Sequence, residues 1–202
     1  MVSARILGYI GILSFLIAWL CIALAIVISN CFDWRENALS DLGDWVTACG
    51  GIKQCIDSCN RLSESVFNYG LILSGILFAL TAIGLVGKGK IYPYVLTATA
   101  ISLSLIGVFP ERFRPHHYIF SVMFFLLLLI SMIIYTIVEA KGKIRYLSLI
   151  LIVIGILGVL TYIFIENDIV HGLGVSIPET MIALPGSLWA VMVIYMKLFK
   201  RS

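Results

Sequence analysis

Three short stretches of this 202-residue chain bring side chains capable of acid–base chemistry next to long apolar runs. They are Asn37-Ala38-Leu39-Ser40-Asp41-Leu42-Gly43-Asp44, Phe109-Pro110-Glu111-Arg112-Phe113-Arg114-Pro115-His116-His117, and Glu166 through His171 to Glu179. All three histidines lie in them. Ser40, Asp41, Glu111, His117, His171 and Glu179 are therefore the candidate catalytic residues: gathered in one place, a histidine or carboxylate among them would activate water. His117, His171 and Glu179 are the candidate ligands for a divalent metal, because adjacent helical residues point about 100° apart and only one of His116 and His117 can join such a set. No other cofactor is expected. Each group also has a plainer role. Ser176-Ile177-Pro178-Glu179 fits a capping box with proline in the first turn. His117 and Ser121, four apart, suit a buried hydrogen bond or a shared lining position, and His171 sits in the Gly-rich loop His171-Gly172-Leu173-Gly174.

Six continuous apolar stretches must hold these segments in place: 6–29, 66–86, 91–109, 118–138, 146–165 and 178–198. Each is near the ~20 residues that cross a ~30 Å hydrocarbon core. The composition agrees, with 61% hydrophobic and 12% charged residues. Runs such as Phe124 to Ile130 show no alternation of apolar and polar positions, so helices are expected rather than a barrel. The fold class is all-α: a single six-helix transmembrane domain over 1–202 with one long outer loop, 30–65. No Asp, Glu, Lys, Arg or His falls at the middle of a stretch, which argues against proton relays, ion-coupled transport and axial haem ligation. Asn68, Ser74, Thr81, Thr97, Thr99, Ser102, Ser104, Ser131 and Thr161 are of the kind that bond between helices. Pro185-Gly186 is expected to interrupt the sixth helix.

Charge orients the bundle. With both termini cytoplasmic, the inner segments carry nine Lys and Arg and the single acid Glu139, and the outer segments carry five bases and ten acids. That Lys/Arg bias is the positive-inside pattern, and it places the cysteine-bearing loop outside the cell membrane. The basic excess marks topology, with no basic and aromatic stripe for nucleic acid to lie along. The first stretch is too long for the h-region of a signal peptide and reads as a retained helix.

Of five cysteines, Cys21 lies inside the first stretch and suits packing. Cys31, Cys49, Cys55 and Cys59 share the outer loop, where two disulfides are expected. If 52–62 is a short helix, Cys55 and Cys59 share a face and take different partners, leaving Cys31 and Cys49 for them. Zinc is the rival reading, but the spacing lacks paired knuckles and the loop contains no histidine.

The turn Asn37-Ala38-Leu39-Ser40-Asp41-Leu42-Gly43, the sequence Phe67-Asn68-Tyr69-Gly70, the stretch Gly107-Val108-Phe109-Pro110-Glu111 with His116-His117, and Pro178-Glu179 with Trp189 together resemble the membrane family called domain of unknown function 998. At longer range the chain is similar to the six-helix Frag1/DRAM/Sfk1 group, whose first outer loop carries a Ser-Asp-x-Gly sequence. That similarity implies lipid handling and membrane trafficking. The cysteine-bearing insertion between Gly43 and Val66 departs from the family pattern, and the resemblance carries over no catalytic residue. Two readings follow. The preferred one is a non-enzymatic membrane protein that binds membrane lipids or a partner, either a second copy or another membrane protein. The alternative is a lipid-directed hydrolase or transferase with an outward-facing Asp/His/Glu site.

Overall fold

The computed structural model describes residues 3–88 and 90–200, and within them the chain is all-α. Six long helices are joined by short helical turns: α1 (Ala4–Ser29), α4 (Leu62–Leu85), α5 (Tyr92–Val108), α6 (His116–Val138), α7 (Gly142–Glu166) and α8 (Ser176–Ile194). Two short helices, α2 (Trp45–Ala48) and α3 (Lys53–Ser58), lie in the loop 30–65, and 3₁₀ turns occupy Leu39–Gly43 and Glu111–Phe113. Among the described residues, five helices are long and apolar enough to cross a membrane: α1, α4, α6, α7, and α8 taken through the wide turn at Tyr195–Phe199. The expected third span is α5, also apolar but only 17 residues long.

These helices are apolar around their whole circumference, so their outward faces carry large hydrophobic side chains. Tyr9, Leu16, Val27 and Ile137 are all more than 60% exposed, the pattern of helices facing hydrocarbon. Packing runs in sequence, α1 on α4, α4 on α5, α5 on α6 and α7 on α8, while α8 also reaches α1 and α6. Small residues set the close approaches. A Cβ on Gly75 of α4 would stand 2.5 Å from Ser104 N and 2.8 Å from Ala100 O of α5. One on Gly186 of α8 would stand 2.4 Å from Leu128 of α6. Contrary to expectation, α8 is not interrupted at Pro185 and continues to Ile194.

Two buried cores divide the bundle. Around the middle and the lysine-rich end, Tyr92, Tyr135 and Trp189 pack edge to face, with ring centroids 5.1 to 6.4 Å apart, among Phe78, Leu96 and Met132. At the opposite end, Leu42 and Trp45 of the loop 30–65 pack on Phe67, Leu71, Leu103 and Ile106. The loop 30–65 is thus a cap with its own buried contacts.

Two disulfides close that cap, Cys31–Cys59 and Cys49–Cys55, and Cys21 is free. Cys55 and Cys59 do take different partners, although the helix between them is shorter than expected, Lys53–Ser58, with Cys59 just beyond its end. The intramembrane hydroxyls mostly depart from expectation. Thr97, Thr99, Ser102, Ser131 and Thr161 return their protons to the carbonyl four residues earlier in their own helix, which satisfies them without joining helices. Bonds between segments come from Thr81 to Leu7 O, Ser104 to Ile72 O and Asn68 to Gly43 O.

Candidate functional site

The Leu39–Gly43 turn is the centre of the acidic end. Its first amide, Leu39 N–H, donates to Glu179 Oε2 of α8 at 2.6 Å. Asp41 Oδ2 accepts from Asn37 Nδ2 at 2.9 Å and from the Ala38 amide at 3.0 Å, folding the turn back on itself. Its last carbonyl, Gly43 O, accepts from Asn68 Nδ2 of α4 at 2.9 Å. A Cβ on Gly43 would stand 2.5 Å from Asn68 Oδ1, so the glycine makes room for this approach. The expected capping box on α8 is not formed. Ser176 Oγ donates to Trp34 O at 3.2 Å, and Glu179 serves Leu39 across the bundle instead of its own helix. Gly174 explains the glycine-rich loop: its amide donates to Trp34 O at 3.1 Å, and a Cβ there would stand 2.6 Å from Asn37 O.

Asp41, Glu111 and Glu179 come together here. Asp41 and Glu111 are buried, each about 9% exposed, and the two carboxyls lie within hydrogen-bonding reach of each other. Burial, reinforced by the Glu111 charge, pushes Asp41 up to about 6, against the opposing bonds from Asn37 and Ala38. Glu111 Oε1 pairs with the Arg114 guanidinium, while its buried Oε2 has no hydrogen-bond donor among the described residues. That oxygen is the natural acceptor for a proton held on Asp41.

The histidines do not join this trio. His117 is buried, and its Nδ1 lies 2.8 Å from Phe109 O; a carbonyl accepts only, so the ring proton resides on Nδ1. Nε2 is then left to accept from Ser121 Oγ, 3.4 Å away. His116 stacks on Phe109, and His171 is exposed in the α7–α8 connection. Among the described residues, the only three metal-ligating atoms within 4.8 Å of one another are the sulfurs of Cys49, Cys55 and Cys59, which are engaged in disulfides. The candidate set His117, His171 and Glu179 is not among such groups.

A second polar group escaped the sequence reading. Asp44 is fully buried and accepts from Thr47 Oγ1 at 3.0 Å, from the Arg112 amide at 2.6 Å and from Arg112 Nε at 3.2 Å. Glu64 accepts from the Trp45 amide at 3.1 Å and lies 3.5 Å from Arg112 Nη2. The only signal in the sequence was an acid directly before a tryptophan.

Beneath the turn lies an apolar cleft of about 80 Å³. Its walls are Phe15, Ala18, Trp19 and Ile22 of α1, Phe67 and Leu71 of α4, Leu103 and Ile106 of α5, Phe124 and Phe125 of α6, and Ala183 of α8. Leu39 and Ser40 form its lid, and its polar groups are Ser40, Ser121, Glu179 and Ser187. Trp19 Nε1 donates to Ser187 Oγ at 3.1 Å, joining α1 to α8 at the wall. Ser40 and Glu179 thus share one cleft, and Ser121 links its wall to His117.

The family model described as protein of unknown function (DUF998) matches residues 12–196, in agreement with the motif resemblance. Neither the curated proteins nor the solved structures contained a match.

Proposed function

This chain belongs to the DUF998 family, and on that premise we propose that it is a six-span, non-enzymatic membrane protein whose cleft under the outer cap holds the apolar part of a membrane lipid. The cleft supports the reading: its walls are almost wholly hydrocarbon, and Ser40, Ser121 and Glu179 supply a polar edge, matching an amphiphile in chemistry. Its volume, about half that of a ~150 Å³ cavity that takes up benzene, suits a chain segment rather than a whole lipid. In this reading α5 is the sixth span, its 17 residues reaching about 25 Å and accommodated by local thinning of the bilayer. The Lys/Arg bias supports cytoplasmic termini and an extracytoplasmic cap in the cell membrane.

The test is to fill the cleft. Ala183→Phe places a ring where the apolar segment would lie, and lipid that co-purifies with the wild type in native mass spectrometry should be lost. Unchanged lipid occupancy in a folded Ala183→Phe protein would refute the assignment.

A second reading is favoured by the meeting of Asp41, Glu111 and Glu179 beside Ser40. In a lipid-ester hydrolase one ionised carboxylate would take a proton from water attacking the ester carbonyl, and the protonated neighbour would return a proton to the leaving alkoxide. Turnover of an ester lipid by purified protein, abolished by Asp41→Asn with lipid occupancy retained, would establish this reading. Occupancy without turnover would leave the binding protein.

A further inference from the structure

At the end of the bundle opposite the carboxyl trio, the α4–α5 turn, the α6–α7 turn and the end of α8 enclose a cleft of about 600 Å³. Its polar lining holds Lys88, Lys90, Lys141 and Lys197 against the single acid Glu139. We propose that this cleft is a binding site for a phosphomonoester, floored by Lys197 and rimmed by Lys88, Lys90 and Lys141. It is independent of the outer cleft and of any reading given to it.

Lys197 is the observation that separates this site from an ordinary basic surface. Its side chain is only 8% exposed, an expensive place for an ammonium unless its charge is matched. The ammonium has three N–H donors. Among the described residues one goes to Glu139 Oε2 at 2.5 Å and one to Lys88 O at 3.3 Å, which leaves a third without a partner. Glu139 is fully engaged as well, because its Oε1 accepts the Lys90 amide at 2.6 Å. This acid thus fixes the turn and the floor lysine in position. Its charge offsets that of Lys197 and leaves the three exposed rim lysines uncompensated.

The geometry matches a compact dianion better than a planar carboxylate. Lysines act as movable point charges without the two-pronged fork of arginine, and several of them can converge on a tetrahedral group. A phosphomonoester carries −1.5 to −2 charges near neutral pH, which offsets half to two-thirds of the three rim charges. The cleft volume lies within the range of ordinary small-molecule sites. Because the cleft opens where helices α4 to α6 and α8 end, the phosphate can belong either to a lipid headgroup or to a soluble molecule.

The experiment titrates purified full-length protein, in a neutral detergent at physiological salt, with a fluorescent short-chain phosphatidic acid and with the matching phosphatidylcholine. The wild type should prefer phosphatidic acid. Lys88→Gln/Lys90→Gln/Lys141→Gln should lower its affinity by about 100-fold, at about fivefold per lysine. The control Lys143→Gln/Arg145→Gln/Lys200→Gln removes the same charge from the same end outside the cleft lining, and should lower it by less than about tenfold. Lys197→Gln leaves Glu139 buried without its partner, so the floor is tested with Lys197→Gln/Glu139→Gln, checked by thermal unfolding and expected to bind as poorly as the rim variant. Inorganic phosphate then distinguishes the source. If it displaces the probe at concentrations similar to those of the probe, the natural ligand is a soluble phosphomonoester; if it does not, the ligand is a lipid. Equal losses in the rim and control variants, or no preference over phosphatidylcholine, would overturn the site.

Discussion

Replacing Asp41 by asparagine should stabilise this protein at neutral pH and leave it unchanged in acid. Asp41 titrates near 6 in the folded chain instead of its usual 3.8, chiefly because it is buried and secondly because Glu111 faces it. A carboxyl whose pKa is raised by folding is held more tightly in its protonated form, so its contribution is present in full below about pH 4. It is lost as pH rises from there to about 6. The whole of that loss corresponds to about 3 kcal/mol, taken as an upper bound because burial is incomplete. Asparagine cannot ionise. Its oxygen can keep the bonds from Asn37 Nδ2 and the Ala38 amide, and its NH₂ can donate to the otherwise unpartnered Glu111 Oε2. Thermal unfolding of the purified protein in detergent, scanned from pH 4 to 8, should show the variant level with wild type at the acid end. At pH 7.5 its midpoint should be higher by about 5–10 °C, at the usual conversion for a chain of this size. Histidine titration cancels because both proteins carry the same three histidines. A variant that parallels the wild type across the whole range, or falls below it at pH 7.5, would show that Asp41 and Glu111 do not share a proton.

Peptide mapping without reductant should return Cys31–Cys59 and Cys49–Cys55 with Cys21 free, and any other pairing contradicts the fold of the cap. Losing the first bridge frees a 28-residue separation and should cost about 3.5 kcal/mol; losing the second frees only 6 and should cost about 2 kcal/mol, measured as midpoint shifts of Cys→Ser pairs. Asp44→Ala strands Arg112 and Thr47 beside a fully buried position and should lower stability by about 3 kcal/mol, whereas Asp44→Asn should cost less; equal effects would show that charge is irrelevant there. Gly75→Ala drives a methyl into backbone atoms of α5 and should cost at least about 2 kcal/mol, whereas the exposed Ile76→Ala should shift stability by less than about 0.5 kcal/mol, with helix propensity in its favour.

The helices were legible because hydrocarbon imposes continuous apolar runs, and no other reading accommodates Phe124 to Ile130. Their ends were less so. Four residues of α4 precede Val66, beginning at Leu62, because Ser63 is buried there, its hydroxyl donating to Asn60 O and accepting from Trp45 Nε1. The spacing of Cys55 and Cys59 gave them different partners but left open which of them takes Cys31 and which Cys49, because that depends on the path of the loop between them. Of the candidate site, the meeting of Asp41, Glu111 and Glu179 could be anticipated only as a common depth, because Glu111 and Glu179 stand at the ends of apolar stretches and Asp41 lies in the loop 30–65. Whether depth becomes contact depends on helix rotation, which places His117 on Phe109 O instead. The Asp44–Arg112 pair spans 68 residues with no local pattern to announce it. The cleft is still less visible, being assembled from side chains of five helices and the Leu39–Gly43 turn.

The short motif that carries the family resemblance has a physical rationale in this arrangement. A five-residue 3₁₀ turn cannot bury enough surface to hold itself against a bundle, so its backbone must be tied down at both ends. Leu39 N–H is tied to Glu179 of α8 and Gly43 O to Asn68 of α4, while the next residue, Asp44, holds Arg112 of the α5–α6 connection. Serine, aspartate and glycine then have separate duties: Ser40 faces the cleft, Asp41 closes the turn on itself, and Gly43 leaves space for Asn68. Because three helical regions converge on one lid, Leu39 and Ser40 can leave the cleft only if α8 moves relative to α4 or one of these bonds breaks. The Glu179 bond depends on one side chain reaching across from another helix, and Glu179→Ala removes the acceptor oxygen that Leu39 N–H uses. That variant should therefore show faster amide hydrogen exchange at Leu39 and Ser40 with the Asn68–Gly43 end unchanged, and uniform exchange along the turn would show that the lid is held by packing of Leu42 and Trp45 alone.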